Sequence, residues 1–221
     1  MLFIGITGGV GAGKSAVLDY LASLPRTKVM LTDEIAHELM EPGTDCYKEL
    51  VGAFPGADFY EADGHFDRKK LAAFIFTSAD NRERLNAIVH PAVKRYVAEE
   101  ARKARQAEMP SEAAGSGSLT KIPDDALQLL VVEAALLIEE HYDEVCDELW
   151  YIYTSEENRR ARLKATRGYS DAKVDGIFAS QLSEAEFRAH CSETIDNNGD
   201  IDATRTQLAE ILLARGIRFR I

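Results

Sequence analysis

The stretch "LFIGITGGVGAGKSAVLDYL", from Leu2 to Leu21, constrains the fold of this chain more than any other. An apolar run ends in a glycine-rich turn, and the turn opens into residues with helical periodicity. Gly8, Gly13, Lys14 and Ser15 fill the fixed positions of GxxxxGK[ST], the Walker A pattern. The glycines let backbone N–H groups converge on phosphate oxygens, the helix start adds the positive end of its dipole, and Lys14 adds a full charge. Ser15 is of the right type to ligate a magnesium ion that bridges those phosphates. Gly8, Gly9, Gly11, Ala12, Gly13, Lys14, Ser15 and Ala16 are therefore the expected contacts to ATP, with Ser15 the expected metal ligand. A turn that merely joins strand to helix is the plain alternative, and every fixed position being filled in the required context argues against it.

Four further β-rich runs follow: "KVML" from Lys28, "LQLLVVE" from Leu127, "ELWYIYT" from Glu148 and "ETIDN" from Glu193. Helical periodicity separates them. The alternation predicts an α/β fold of the P-loop NTPase type, a five-stranded, mostly parallel sheet flanked by helices, with ligands at the C-terminal ends of its strands. Between the second and third strands, "LAAFIF" and "LNAIVHPAVKRYV" repeat apolar residues at helical spacing, which predicts a small helical subdomain. The stretch "MPSEAAGSGSLTKIP", Met109 to Pro123, reads as a mobile surface linker. After the fourth strand, "SEENRRARLKATRGYSDAKVDGIFASQLSEAEFRAHC" predicts two helices broken near Gly168, with Ser155 and Ser170 as N-caps. A last helix is expected at about Ile201 to Ala214, with Gly216 as its stop.

Charge narrows the choice of partners. With 37 acidic and 26 basic side chains the net charge is −11, which disfavours broad attraction to nucleic acid or to an anionic membrane surface. An anionic ligand must then be drawn by local cations, at the Lys14 loop and in "NRRARLKATR" from Asn158 to Arg167. No apolar run approaches the roughly 18 residues of a membrane span, and "MLFIGITGG" enters an apolar strand without a basic leader, so a cytoplasmic protein is expected. Cys46, Cys146 and Cys191 are far apart and form no CxxC, which argues against disulfides or a thiolate zinc site.

A phosphoryl acceptor needs a base. Asp33, just past the second strand, suits that task, and it equally suits a helix cap for "EIAHEL". The motifs "GITGGVGAGKS", "DEIAHELMEPG", "FDRKKLAAFIF", "LNAIVHPAV", "EAALLIE" and "IDNNG", in this order, closely resemble the dephospho-CoA kinase family. The resemblance covers nearly the whole chain except the linker around Gly115 and Gly117. It implies phosphorylation of the ribose 3′-hydroxyl of dephospho-CoA by ATP with magnesium, and Asp33 as the catalytic base. It also implies a nucleotide core at 1–33, 124–154 and 192–221, a helical substrate subdomain at 34–108, the linker at 109–123 and a lid at 155–191.

Further roles are carried by the same resemblance. Arg68 meets a substrate phosphate, unless Asp67 caps a helix and Arg68 is solvated. His90 contacts substrate, unless "HPAV" only ends one helix and starts the next. Glu133 stands where the family has an acid that orders water on magnesium or anchors substrate; a strand-end carboxylate without a ligand is the alternative. Among the cations Arg159, Arg160, Arg162, Lys164 and Arg167, usually a solvated face, the lid reading favours Arg162 as catalytic with Arg167 next. The family's RLxxR spacing is broken here, since Thr166 takes the second Arg's place and Arg167 follows one residue later. Asn197 and Gly199 fall beside the adenine, or form a plain turn. Calcium is rejected for "IDNNGD" because Ile201 replaces the required glycine. The reading is a small-molecule kinase, monomeric or weakly self-associating. Its rivals are a kinase of another alcohol such as a nucleoside or nucleotide, an NTPase switch and a degenerate nucleotide-binding module.

Overall fold

The computed structural model describes residues 1–108 and 126–219; the expected linker at 109–123 lies outside them. The strands are β1 (Leu2–Thr7), β2 (Thr27–Leu31), β3 (Leu129–Glu133), β4 (Glu148–Tyr153) and β5 (Glu193–Asp196). They form one sheet in the order β2-β3-β1-β4-β5. β1 runs parallel to both neighbours, with Gly5 opposite Val132 on one side and Leu149 on the other. β4 and β5 are also parallel. A central strand covered on both faces must be apolar throughout, and Phe3, Ile4 and Ile6 of β1 are fully buried. Parallel pairing brings the C-terminal ends of β1, β3, β4 and β5 to one sheet edge. Gly8, Glu133, Thr154 and Asn197 emerge there.

The helices are α1 (Lys14–Ser23), α2 (Thr32–Leu39), α3 (Asp45–Ala53), α4 (Arg68–Thr77), α5 (Ala79–Glu108), α6 (Glu156–Arg167), α7 (Asp171–Ala179), α8 (Glu184–His190) and α9 (Ile201–Ala214). Val17 and Leu21 of α1 and Leu208 and Leu212 of α9 are fully buried, and these two helices pack together beside the sheet. None of the described helices is long and apolar enough to cross a membrane.

Two local predictions change. The segment after β4 folds into three helices rather than two. Ser155 caps α6 by accepting from the Asn158 N–H, Gly168 ends it at φ +63°, and Ser170 caps α7. Ser183 and Glu186 then form a reciprocal capping box that starts α8, a four-residue signal overlooked in a stretch of otherwise continuous helical periodicity. The second change concerns "HPAV". α5 continues through Pro91, so His90 ends no helix. A buried stripe of Val89, Ala92, Val93 and Val97 offsets the roughly 3 kcal/mol that an interior proline costs.

The chain divides into two compact units, Met1–Met30 with Ala101–Ile221, and Leu31–Glu100. Against the expected division at 34 and 108, Asp33 and the last turns of α5 change sides. The smaller unit has its own aromatic core, in which Phe59 meets Phe54 edge-on and tilts against Phe74, with ring centroids 6.1 and 5.1 Å apart.

In the larger unit an ion cluster closes the sheet edge opposite the strand ends named above. Arg215, which caps α9, donates through Nε to both Glu148 oxygens at 2.6 and 2.7 Å and through a terminal nitrogen to Glu193 at 2.6 Å. Burial raises the Glu148 pKa, but the Arg215 and Trp150 hydrogen bonds outweigh it and hold the carboxyl below its usual 4.5. A depressed carboxyl stabilises the fold above its unfolded pKa and loses that contribution as pH falls through the folded value. Arg215→Ala is therefore expected to cost about 2 kcal/mol at neutral pH in urea denaturation. Its deficit relative to the wild type should shrink as pH falls below about 4.5; a deficit that is constant from neutral to acid pH would exclude this assignment.

Candidate active site

The loop from Gly8 to Ser15 joins β1 to α1. Gly13, at φ +87°, is the N-cap of α1 and has no side chain with which to cap it. The first N–H groups of the helix thus lack a side-chain acceptor, which is the arrangement a bound phosphate completes. A Cβ at Gly13 would also stand only 2.4 Å from Asn197 Nδ2. Lys14 Nζ donates to the Gly8 carbonyl at 2.8 Å and lies 3.6 Å from Glu133 Oε1. Lys14 and Glu133, one loop and one strand end, are therefore brought together. Ser15 and Ala16 are exposed at the start of α1.

The Ala12 carbonyl is the anchor of this loop. Asn197 Nδ2 donates to it at 2.7 Å, Thr154 Oγ1 at 3.0 Å and an Arg162 terminal nitrogen at 3.3 Å. The other Arg162 terminal nitrogen donates to the Asn197 carbonyl at 2.7 Å. Thr204 of α9 donates in turn to Asn197 Oδ1 at 2.8 Å. Asn197 and Thr204 are almost wholly buried, so each of these donors and acceptors needs its partner. In this structure Asn197 and Arg162 hold the loop in shape. Gly199 is exposed in the adjoining turn, where Asn198 Oδ1 accepts from Ser155 N–H and from the Asn158 amide.

The five cations of α6 separate into two groups. Arg160 pairs with Asp175, Asp171 and Glu156, and Lys164 with Asp171, which ties α6 to α7. Arg167 lies toward the Tyr169 ring, 6.0 Å from its centroid. Arg159 and Arg162 instead reach the loop. Arg159 Nε donates to the Val10 carbonyl at 2.9 Å, and its guanidinium crosses so close to Gly9 that a Cβ there would be 2.3 Å from its central carbon. Sequence reasoning missed Thr154, Arg159 and Gln181 as site residues. Arg159 was one of five cations among which the sequence reading favoured Arg162 and then Arg167, and a neutral residue between two helices, such as Gln181, carries no motif.

The smaller unit holds Asp33, Arg68 and His90. Asp33 is exposed in the first turn of α2, whose N-cap is Leu31 with no side-chain cap bond, so Asp33 is not the helix cap. As an acid in the first turn it still faces the positive end of the helix dipole. Asp67 does cap α4, accepting from the Lys69 and Lys70 N–H groups. Arg68 begins that helix and lines a groove of about 210 Å³ with His37, Phe66 and Leu71. His90 is half-buried in α5.

The described residues gather no cluster of three or more His, Cys, Asp or Glu side chains able to hold a metal. Ser15, exposed at the start of α1, carries a hydroxyl oxygen of the type a hard cation takes as a ligand.

The sequence profile of the dephospho-CoA kinase family matches residues 2–112 and 115–203. A dephospho-CoA kinase of Geobacter sulfurreducens is 33% identical over 215 residues, 97% of this chain and 99% of the relative. One from Corynebacterium efficiens is 36% identical over 217 residues, 96% and 98% of the two chains. Among solved structures, a dephospho-CoA kinase from Campylobacter jejuni superposes with a TM-score of 0.67 at 18% identity, covering 98% of each chain, which supports the fold. On the strength of the profile and the full-length relatives, the chain belongs to the dephospho-CoA kinase family.

Proposed function

We propose that this protein transfers the γ-phosphoryl group of ATP to the ribose 3′-hydroxyl of dephospho-CoA, giving coenzyme A and ADP in the final step of CoA biosynthesis. Membership of the family over nearly the whole chain is the observation that carries this reading. The phosphates rest on the N–H groups from Gly9 to Ala16, and Lys14 turns from the Gly8 carbonyl to the β- and γ-phosphates. Ser15 would hold a magnesium ion, with Glu133 ordering its water, and the ion when bound would supply positive charge between the phosphates.

Asp33 takes the proton of the 3′-hydroxyl as its oxygen attacks the γ-phosphorus. The bond from that phosphorus to the ADP oxygen breaks, and ADP leaves with the electron pair. Arg162 offsets charge that develops during transfer, with Arg167 behind it. Gly199 and the Asn197 backbone border the adenine, while Arg68 and His90 hold the acceptor. The segment 155–191 acts as the lid that excludes water. The reading also places the enzyme in the cytoplasm as a monomer or weak homo-oligomer.

The direct test is ADP release from magnesium-ATP with and without dephospho-CoA. Strong stimulation is expected, with the new phosphate on the ribose 3′-oxygen by mass and NMR; slow hydrolysis indifferent to the acceptor would exclude the kinase reading. Stimulation by a nucleoside in place of dephospho-CoA would change the acceptor alone. Asp33→Asn is expected to lower kcat by about 10²- to 10⁴-fold with ATP affinity within a few fold, and a fully active variant would remove Asp33 from the base role. Asn197→Ala deprives the Ala12 carbonyl of its shortest hydrogen bond. It should raise KM for ATP by about tenfold through a misshapen loop, read by steady-state kinetics; an unchanged KM would show that the clamp is dispensable.

A further inference from the structure

Arg159 and Arg162 differ electrostatically from Arg160 and Lys164 on the same helix. Arg160 and Lys164 are neutralised by carboxylates, whereas Arg159 has no carboxylate within ion-pair distance among the described residues. Its hydrogen-bond acceptors are two neutral oxygens, the Val10 carbonyl and Gln181 Oε1. Its flat face lies 4.3 Å from the centroid of the Phe178 ring. Burial pushes its pKa below the ordinary arginine value, yet guanidinium remains a cation at any physiological pH. A charge that feels only the more distant Glu156 carboxylate on its own helix is thereby held against the Gly9–Gly11 half of the phosphate loop in a protein of net charge −11.

Gln181 completes the pattern. It follows α7, and its Oε1 accepts both from Arg159 and, at 3.3 Å, from the Val10 N–H of the loop. A backbone N–H and a guanidinium N–H converging on one oxygen is the donor set that loops of this kind offer to a phosphate. Arg162, by contrast, has its donors engaged by the Ala12 and Asn197 carbonyls and the Thr154 hydroxyl, which are parts of the framework. The amide of Gln181 is the replaceable acceptor.

We propose that Arg159 sets the preference of this site for a nucleoside triphosphate over less charged nucleotides, and that Gln181 Oε1 occupies the place of a phosphate oxygen on Arg159 and the Val10 N–H until nucleotide displaces it. The proposal rests on the nucleotide-binding part of the kinase reading and is independent of the acceptor.

The experiment is titration calorimetry of the full chain with ATP, ADP and AMP, each with magnesium, for the wild type and for Arg159→Gln, Arg159→Lys and Gln181→Glu. Arg159→Gln should weaken ATP by about tenfold, ADP by less and AMP hardly at all, and Arg159→Lys should restore much of the ranking. Gln181→Glu keeps Arg159 but neutralises it, so it should lose ATP affinity in the same graded way while its thermal midpoint stays equal or rises. A merely structural Arg159 would instead weaken all three nucleotides by one factor and leave Gln181→Glu with wild-type ATP affinity; either result overturns the proposal. Should Arg159→Gln fail to fold, the Gln181→Glu arm decides alone. A wild type without preference for ATP over AMP also overturns it. Graded losses in a protein whose ADP release ignores dephospho-CoA would uphold it and remove the acceptor reading instead.

Discussion

One carbonyl, that of Ala12, determines how the nucleotide side of this molecule is built. It receives donors from residues just past β4, just past β5 and within α6. A buried carbonyl left without partners costs about 1–3 kcal/mol, and each donor here is itself placed by a strand end or helix. The sheet therefore transmits its register to the phosphate loop: moving β4 or β5 would withdraw Thr154 or Asn197. Gly13 is next in the chain, so the peptide held by this carbonyl leads directly into the left-handed residue that opens α1. In this way a loop with four glycines between Gly8 and Gly13 is given one shape.

Charge is organised as narrowly as hydrogen bonding. A protein of net charge −11 repels a polyanion at long range, so binding depends on cations at short range. Two arginines of α6 meet the loop through neutral acceptors and keep their charge, while Arg160 and Lys164 on the same helix are consumed in ion pairs with Asp171 and Asp175. Those exposed pairs contribute little stability individually, but together they join α6 to α7. The same helix thus supplies charge to the nucleotide side and a tether to the segment that follows. Lys14, between the Gly8 carbonyl and Glu133, is held near the loop rather than free in solvent.

Much of this was legible in the sequence. The apolar runs located β1, β3 and β4, because a buried parallel strand must be apolar along its length, and the shorter β-rich runs at Lys28 and Glu193 located the partly exposed edge strands β2 and β5. The Walker A positions located the loop because few other chemistries need glycine and lysine at that spacing. What escaped was long-range. Thr154 is an ordinary residue at a strand end, and only the fold brings it under Ala12. Arg159 could not be separated from Arg160 by periodicity, since adjacent residues on a helix point in directions about 100° apart and the sequence does not say which direction faces the loop. The helix beginning at Glu184 was lost for a different reason: its capping box was concealed within a stretch read as one helix. Asp33 stood between two readings, and the absence of a cap bond in α2 removed the structural one.

The central claim is that the phosphate loop has its binding shape before nucleotide arrives, fixed by the donors on Ala12. A crystal structure with a non-hydrolysable ATP analogue and magnesium tests this most directly. The account predicts that the backbone from Gly8 to Ser15 shifts by less than about 1 Å and that Asn197, Thr154 and Arg162 still donate to the Ala12 carbonyl. A loop that rotates its Ala12–Gly13 peptide and releases those donors to receive the phosphates would contradict it.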